Sequence, residues 1–351
     1  MGLEKLNSET VQQERPGAEL RGQEVLVTGA TGFVGNHLTR RLLGIGAEVR
    51  ILVRKSSNSE LVSELEQLGA RVFYGDVSDQ DSVDEAADGV SFIFHIAALF
   101  RQAKFDDSVY YDVNVEGVRH MINAAEKNNV QRLVHCSTIG VHSHILNPPA
   151  DENEDYRPDD IYQVTKCEGE KLAKEAFKAG RVKGAIIRPA MIWGEGDTRI
   201  LKLFKGVSKR TMPIIGDGKT MTHWIYVHDL VDGFILAAIK EAAIGQVYII
   251  AGRRAVPLEE LVERVAECAG TKPLPVKIPA CPVQVAGSIT EAICKPFGIE
   301  PPLYRRRVDF FTKDRHFDTT KAQTELGFQP RNTFEEEVSN IFNWYQDQGW
   351  L

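Results

Sequence analysis

Short apolar runs alternate with amphipathic segments along most of the chain, and this alternation is the feature that most limits its fold. The runs are EVLVTG (24–29), EVRILVR (48–54), RVFYGD (71–76), SFIFHIAA (91–98), RLVHCST (132–138), KGAIIRP (183–189) and, further along, GQVYIIAG (245–252). Apolar runs of this kind are typical of strands that are buried on both faces. The amphipathic segments between them are typical of crossover helices, so the sequence predicts an α/β fold with a doubly wound parallel sheet.

The first strand leads into a glycine-rich segment, TGATGFVG, at residues 28–35. Its glycines have GxxGxxG spacing and lie where the first strand meets the first helix. Glycines let the backbone approach a pyrophosphate, and the helix N-terminus offers unpaired N–H groups with a partial positive charge. We therefore predict a Rossmann fold whose dinucleotide site includes Gly29, Thr31, Gly32, Phe33, Val34 and Gly35.

The regular alternation of apolar runs and amphipathic segments ends after the sixth run, and loops, prolines and short helices dominate from there. We predict that residues 22–190 form a dinucleotide-binding domain, to which the chain returns at about 226–252. Residues 191–225 and 253–351 are predicted to form a smaller, irregular C-terminal domain that binds the substrate. Residues 1–21 are polar, and we expect a disordered tail there.

The end of the second strand, ILVRKSS, predicts which nicotinamide dinucleotide is bound. NAD-specific sites usually carry an acidic residue there, which accepts a hydrogen bond from the ribose 2′-hydroxyl. Arg54 and Lys55 stand in this place instead, and a guanidinium can bind a phosphate through two hydrogen bonds. We therefore favour NADP(H) over NAD(H), although a solvated basic loop is the alternative. Asp76 and Val77, after the third strand, are predicted to lie against the adenine.

Composition excludes several other classes of protein. The 351 residues carry a net charge of −7, so the chain lacks the basic surface of a general nucleic-acid binder. No apolar run approaches the about 20 residues that span a bilayer, and the polar N-terminus does not look like a secretory signal. The five cysteines are scattered, and His223 and His228 have no third metal ligand at a recognisable spacing. We expect a cytoplasmic protein without a metal site.

Eight short motifs follow one another in a specific order. They are TGATGFVG, HIAA (95–98), NVEG (114–117), CSTIGV (136–141), YQVTK (162–166), IIRPAMIWGEGD (186–197), YVHDLVDG (226–233) and FDTTKAQTELGFQP (317–330). Together they resemble the extended short-chain dehydrogenase/reductase superfamily over residues 23–350. This superfamily includes the NAD-dependent epimerase/dehydratase group and the 3β-hydroxysteroid dehydrogenase and dihydroflavonol reductase-like group. The resemblance implies hydride transfer at a carbon that bears a hydroxyl or carbonyl oxygen.

The motif YQVTK places Tyr162 one helical turn before Lys166. Hydride transfer requires a proton to move at the oxygen, but free tyrosine has a pKa near 10, which is too high for a base at neutral pH. A positive charge about 4 Å away, worth roughly 4 kcal/mol at an effective dielectric of about 20, would lower that pKa. The resemblance implies Tyr162 as the proton carrier and Lys166 as its partner and a contact of the nicotinamide ribose. It implies Thr138 as the third catalytic residue, with Ser137 as the alternative.

The resemblance also implies the remaining cofactor contacts. Ala97 and Ala98 would leave room for the cofactor, Ser137 would lie beside it, and Pro189 would pack against the nicotinamide. Asn114 matches an asparagine that is mainly structural in the superfamily.

The residues favour a reductase or dehydrogenase over other members of the superfamily. A non-catalytic cofactor sensor would lack the pair Tyr162 and Lys166. A dehydratase needs an acid and a base after Thr138, where Ile139 and Gly140 stand. A nucleotide-sugar epimerase remains the alternative, but predicted use of NADP(H) favours a reductase.

The predicted substrate is a largely apolar small molecule. Nucleotide-sugar enzymes of the superfamily often carry an arginine before the YVHD-type motif, where it binds a diphosphate, and Thr222 stands there instead. Segment 278–303 is rich in Val, Ile, Ala and Pro, so it would either cover an apolar ligand or close the core of the small domain. We therefore predict an NADP(H)-dependent oxidoreductase that interconverts a carbonyl and a secondary alcohol on a sterol-, flavonoid- or ketone-like molecule. Arg305, Arg306 and Arg307 are the alternative contacts for an anionic substrate.

The resemblance further implies a homodimer. Its interface would be formed by the long helices predicted near residues 107–129 and 160–180. We expect no nucleic-acid partner and no membrane span.

Overall fold

The computed structural model describes residues 15–100, 105–294 and 305–351. The strands are β1 (Glu24–Thr28), β2 (Glu48–Val53), β3 (Arg71–Tyr74), β4 (Phe92–His95), β5 (Arg132–Cys136), β6 (Gly184–Pro189), β7 (Met191–Trp193), β8 (Ile214–Ile215), β9 (Met221–Tyr226), β10 (Val247–Ile250), β11 (Ala255–Pro257) and β12 (Lys277–Ile278). The α-helices are α1 (Phe33–Ile45), α2 (Ser59–Gln67), α3 (Gln80–Ala87), α4 (Asp107–Tyr111), α5 (Gly117–Lys127), α6 (Ile161–Lys178), α7 (Leu201–Ser208), α8 (Val227–Ile239), α9 (Leu258–Cys268), α10 (Ala280–Cys294), α11 (Arg305–Thr312) and α12 (Phe334–Asp347).

The main sheet has seven parallel strands in the order β10-β6-β5-β4-β1-β2-β3. This confirms the predicted doubly wound Rossmann architecture. The strand order reverses between β1 and β4, and the C-terminal ends of parallel strands meet at one edge of the sheet. Ligands of open α/β sheets bind in the crevice at such a reversal, which fixes where the functional site is expected.

Helices cover both faces of the main sheet. In β1, Val25 and Val27 face the layer that includes Leu38 of α1, whereas Leu26 faces the opposite layer, which includes Met121 of α5. Each of these side chains is fully buried. Burying one such side chain contributes about 1.5–3 kcal/mol, so both layers hold the strands in register. This two-sided burial explains why the strands are apolar runs rather than alternating patterns.

A second apolar cluster lies in the C-terminal part of the chain. It surrounds the small sheet β11-β9-β7, where the rings of Trp193 and Trp224 stack with centroids 4.6 Å apart. Helix α12 packs into the same cluster and begins with a capping box, in which Thr333 and Glu336 each satisfy the other's backbone N–H. Strand β10, in contrast, belongs to the main sheet.

The predicted helix at 107–129 is divided into α4, a π-helical turn at Asp112–Glu116, and α5. The buried Asn114 lies in that turn, and its side chain binds both backbone groups of Leu99 and the hydroxyl of Thr165. Such π-turns are frequent at functional sites. Asn114 therefore joins the loop after β4 to helix α6.

A disordered tail was expected over residues 1–21, but residues 15–21 are ordered in the structure. Leu20 is fully buried in the apolar layer with Ile45 and Ile235, and Arg41 donates a hydrogen bond to the backbone oxygen of Pro16 at 3.0 Å. Burial of Leu20 offsets the entropy lost on ordering the segment. Residues 1–14 of the expected tail lie outside the described residues.

Within the described ranges, no helix is long and apolar enough to span a membrane.

Candidate active site

A cavity of about 1180 Å³ runs along the C-terminal edge of the main sheet. Its walls come from the loops after six of the parallel strands, from the start of α6, and from β7, α7 and α11 of the C-terminal part. The cavity thus lies at the strand-order reversal and extends to the boundary with the second apolar cluster.

The glycine-rich loop forms one end of the cavity, and all six residues predicted from it line the wall. Gly29 has a φ of +75°, and a Cβ there would lie 2.8 Å from the backbone nitrogen of Ala97. A Cβ on Gly35 would lie only 2.1 Å from the oxygen of Gly29. Glycine at 29 therefore lets the loop after β4 approach, and glycine at 35 lets α1 pack against the glycine-rich loop. Gly32 is the N-cap of α1, and no described side chain caps this helix. Its uncapped N–H groups fit a pyrophosphate.

Not all residues predicted to bind the adenosine end of the cofactor line the cavity. Arg54 is exposed and lines the cavity, together with Ser57, whose backbone nitrogen binds the oxygen of Arg54 at 2.9 Å. Lys55 is exposed and is not part of the cavity wall. Asp76 and Val77 line the wall. Sequence reasoning missed Ser57, which is the last residue of the ILVRKSS stretch.

Tyr162 and Lys166 project into the cavity from the first turns of α6. The helix begins at its N-cap Asp160, whose side chain accepts a hydrogen bond from the backbone of Gln163 at 2.8 Å. The Tyr162 ring packs edge-on against Phe100, with centroids 5.0 Å apart. The start of a capped helix therefore holds the phenol at the cavity wall.

Lys166 is 2% exposed, and its Nζ donates a hydrogen bond to the backbone oxygen of Cys136 at 2.6 Å. Burial lowers the pKa of this ammonium, because removal from water disfavours the charged form. The hydrogen bond fixes the ammonium at the end of β5, one helical turn from the phenol.

The structure distinguishes the two hydroxyl candidates after β5. Ser137 is buried and donates its proton to the carboxylate of Glu170. Thr138 accepts a hydrogen bond from the backbone of Gly140 at 3.0 Å, as the N-cap of a 3-10 helix, and lines the cavity. Because a hydroxyl carries one donor proton, Thr138 keeps its proton for an acceptor in the cavity. Of the two hydroxyls, Thr138 is therefore the one that can donate a hydrogen bond into the cavity.

The other predicted contacts, Ala97, Ala98, Ser137 and Pro189, all line the cavity. The backbone nitrogen of Ala97 donates to the hydroxyl of Thr28 at 3.2 Å, which holds the loop after β4 against β1.

Two histidines in neighbouring strands of the main sheet are buried and neutral. His95 and His135 are register partners on β4 and β5 and stack with centroids 5.5 Å apart. Burial lowers the pKa of both, to about 3 for His95. Among the described residues, no three histidine, cysteine or carboxylate side chains come together as metal ligands do.

The wall opposite the glycine-rich loop is mainly apolar. It is formed by Met191, Ile192, Ile200, Leu203, Met212, Trp224, Phe310 and Phe311. None of these residues was predicted, because they come from separate elements that only the tertiary fold brings together. Their one common sequence signal is that they are apolar residues outside the strands of the main sheet.

Cations also reach this wall, and two of them, Lys313 and Arg199, have acidic partners. Lys313 Nζ lies 2.6 Å from Asp159 Oδ2 and 3.0 Å from Asp309 Oδ2. Arg199 forms a two-pronged ion pair with Asp197, at 2.8 and 2.9 Å. Lys202 and Arg315 line the wall as well.

Two parts of the chain that the substrate prediction used do not line the cavity among the described residues. Thr222 is fully buried, and its hydroxyl donates to the oxygen of Val256 at 3.0 Å rather than facing the ligand space. Helix α10, which carries much of segment 278–303, contributes none of the described lining side chains. Residues 295–303, with Lys295, lie outside the described residues, and the side chains of Arg305 to Arg307 are not described.

Comparison with known proteins places this geometry in a family. Residues 26–271 match the 3-beta hydroxysteroid dehydrogenase/isomerase family. A 3 beta-hydroxysteroid dehydrogenase/Delta 5→4-isomerase of Mycobacterium tuberculosis is 31% identical, over 92% of this chain and 90% of the relative. An N-acetyl-alpha-D-glucosaminyl-diphospho-ditrans,octacis-undecaprenol 4-epimerase of Escherichia coli O157:H7 is 28% identical, over 91% and 94%. The solved structure of gox2253 superposes with a TM-score of 0.77 at 30% identity, covering 94% of this chain and 99% of that one.

The glycine-rich loop, the strand order and the family match agree with the resemblance identified from the motifs. The chain therefore belongs to the 3-beta hydroxysteroid dehydrogenase/isomerase family, within the NAD(P)-dependent enzymes of the extended short-chain dehydrogenase/reductase superfamily.

Proposed function

We propose that the protein is an NADP(H)-dependent oxidoreductase that interconverts a carbonyl and a secondary alcohol on a largely apolar small molecule. One observation carries the proposal. A single cavity joins the glycine-rich loop, the residues Tyr162, Lys166 and Thr138, and an apolar wall from the C-terminal part of the chain. Such a cavity accommodates a dinucleotide at one end and an apolar ligand at the other, with proton-carrying side chains between them.

The cofactor would be held by residues along the sheet edge. The loop at 29–35 would bind the pyrophosphate through its N–H groups, and Arg54 with Ser57 would bind the 2′-phosphate. Lys166 and Pro189 would contact the nicotinamide end. When bound, the nicotinamide supplies or accepts the hydride.

Tyr162 moves the proton in this account. In the direction of reduction, its phenol donates a proton to the substrate oxygen as the carbonyl carbon gains the hydride, and in oxidation the phenolate takes the proton back. The ammonium of Lys166 stabilises the phenolate and so makes Tyr162 an effective acid and base near neutral pH. The Thr138 hydroxyl donates a hydrogen bond to the same substrate oxygen and orients it. The apolar wall excludes water.

The substrate class follows from the character of the opposite wall. Phe310, Phe311 and Trp224 offer ring surfaces suited to a sterol-, flavonoid- or ketone-like molecule. Similarity to the mycobacterial enzyme, whose name specifies a 3β-hydroxysteroid, supports this class. The pairing of Lys313 and Arg199 with carboxylates supports it further, because paired cations are poor sites for an additional anion.

A nucleotide-sugar-like epimerase is the second candidate. Similarity to the E. coli epimerase favours it, since that enzyme's name specifies a diphosphate-linked sugar. Lys202, which lines the wall, is then a cation that a diphosphate would use.

Turnover assays distinguish the two candidates. Purified protein is incubated with NADPH or NADP and with panels of 3-ketosteroids, 3β-hydroxysteroids, flavonoids, long-chain ketones and nucleotide sugars, and nicotinamide absorbance is followed. A reductase consumes NADPH with a member of the apolar panels. An epimerase interconverts nucleotide sugars, detected by chromatography, without net change in nicotinamide absorbance, and that result would replace the proposal.

We also propose a homodimer through α5 and α6. The length of these helices and the superfamily resemblance support it. Light scattering at micromolar concentration should give twice the chain mass, and a monomeric mass would exclude this interface.

A further inference from the structure

A buried ion pair lies one helical turn beyond Lys166. Glu170 is 0% exposed and Arg188, on β6, is 1% exposed. Arg188 Nη2 lies 2.5 Å from Glu170 Oε1, and its Nε lies 3.1 Å from both carboxylate oxygens. Burial alone would raise the pKa of Glu170, but Arg188 outweighs that effect and lowers it, so the pair stays ionised.

Two hydroxyl groups complete the hydrogen bonding of this carboxylate. Ser137 donates its proton to Oε2, and Tyr156 donates to Oε1 at 2.7 Å. Arg188 Nη2 is also 3.0 Å from the Tyr156 oxygen. Glu170 therefore joins the residue before Thr138 to the loop that precedes α6.

Arg188 extends the network to the other side of Thr138. Its Nη1 donates to His142 Nε2 at 3.0 Å and to the oxygen of Glu152 at 2.9 Å. Because arginine has no acceptor, His142 must accept at Nε2 and carry its proton on Nδ1, which lies 3.0 Å from the oxygen of Asp155. His142 ends the 3-10 helix that Thr138 caps.

We propose that the Glu170–Arg188 pair is a positioning device that holds the hydroxyl of Thr138 at a fixed place relative to the phenol of Tyr162. The inference rests on the proposed function, in which both groups bind one substrate oxygen. Glu170 lies two helical turns after Tyr162 on the same face of α6. Its contacts with Ser137 and, through Arg188, with His142 fix the chain on both sides of Thr138.

The energetics favour positioning over simple stabilisation. Burying two charges costs several kcal/mol per ion, and apolar side chains in the same place are often equally stabilising. A fully hydrogen-bonded network instead specifies one arrangement of the segments that it joins. The end of β5, the loop that contains Tyr156 and helix α6 are separate segments of the sequence. They meet at the cavity wall beside Ser137. A displacement of about 1 Å between reacting groups can cost about 100-fold in rate.

Two variants test the proposal without leaving a buried charge unpaired. Ser137→Ala and Tyr156→Phe each remove one hydrogen bond that a neutral hydroxyl donates to Glu170, and both keep the ion pair. Each should lower kcat by about tenfold or more. The pKa values in the pH profile of kcat should stay the same in both variants, because the proton carrier and its partner are unchanged. The Kd for NADP should stay the same in Tyr156→Phe, because Tyr156 does not line the cavity. Ser137→Thr keeps the hydroxyl and should restore most of kcat.

Tyr248→Phe is the matched control, because Tyr248 also donates to a carboxylate, that of Glu325 at 2.7 Å, and does not line the cavity. Tyr248→Phe should lower the melting temperature by about as much as the two test variants do, but it should leave kcat unchanged. If Ser137→Ala and Tyr156→Phe lower kcat no more than this control, the pair has no positioning role.

Crystal structures of the wild type and of Ser137→Ala decide the question independently of turnover. The proposal expects the Thr138 hydroxyl to shift relative to Tyr162 in the variant. An unchanged position of the Thr138 hydroxyl would overturn the positioning role, whichever substrate the protein uses. Absence of reductase turnover in the wild type, with a shifted hydroxyl in the variant, would count against the proposed function and not against the positioning role.

Discussion

Lys166 Nζ donates a hydrogen bond to the backbone oxygen of Cys136 at 2.6 Å, and this contact joins helix α6 to the end of strand β5. The strand end carries Thr138 two residues later, and the helix carries Tyr162 one turn earlier. The proposed proton carrier and its cationic partner therefore lie on one helix, and the proposed orienting hydroxyl follows closely after the strand that this helix contacts.

Tyr162→Phe should abolish turnover and leave cofactor binding nearly intact. The ring still packs against Phe100, but it has no proton to donate. Turnover is measured as the steady-state rate with the best substrate, and cofactor binding is measured by fluorescence titration of NADPH. Tyr248→Phe, outside the cavity, serves as the control. If the variant keeps more than a few per cent of the wild-type rate, Tyr162 is not the proton carrier.

Arg54→Glu should weaken binding of NADP about tenfold or more and change binding of NAD much less, because it replaces a phosphate partner with a like charge. Lys55→Glu makes the same charge change one residue away, outside the cavity wall, and should have a much smaller effect. Calorimetry with both cofactors measures the difference. Equal losses for the two cofactors would show that Arg54 does not contact the 2′ position.

Glu337 makes stability depend on pH. Burial raises the pKa of this carboxyl from its ordinary 4.5 to about 8, although Trp193 donates a hydrogen bond to it at 2.7 Å. Because the folded state holds the proton more tightly than the unfolded state, the stabilisation is complete below pH 4.5 and is lost as pH rises to about 8. Melting temperature should fall over this window in the wild type and much less in Glu337→Gln. Parallel melting curves for the two proteins would contradict this assignment.

Nucleotide diphosphates should not compete at the substrate site. Thr222 has its hydroxyl bound to Val256, and Lys313 already has two carboxylate partners. Calorimetric titration of UDP, GDP and dTDP into the NADP-bound protein measures this directly. Micromolar binding by any of them would favour the epimerase candidate, and loss of that binding in Lys202→Met would identify the diphosphate contact.

The sequence predicts the sheet and the position of the glycine-rich loop well, because both depend on local patterns. Buried parallel strands require apolar runs, and a pyrophosphate loop requires glycine at Gly29 and Gly35. The observed strands are shorter than the runs, and the last residues of the first five runs turn into the cavity wall. Tyr162 and Lys166 were recognisable because they lie on one helix at a fixed spacing.

The substrate end and the positioning network depend on tertiary contacts that no local pattern specifies. Phe310 and Phe311 reach the cavity only because α11 packs across it. Thr222 matches a ligand-binding position in sequence, yet its side chain is buried in the small sheet. For Glu170 and Arg188 a signal was present: an arginine inside the apolar run KGAIIRP requires a buried partner.

Transfer of deuterium from the cofactor to the substrate tests the central claim most directly. The protein is incubated with NADPH deuterated at the transferable position and with the ketone that gives the highest rate, and the product is analysed by mass spectrometry. Hydride transfer to an apolar ketone predicts one deuterium on the carbinol carbon, an equal amount of NADP, and no product with Tyr162→Phe. Absence of label from every 3-ketosteroid, flavonoid and long-chain ketone, with nucleotide sugars interconverted and the cofactor unconsumed, would contradict the account.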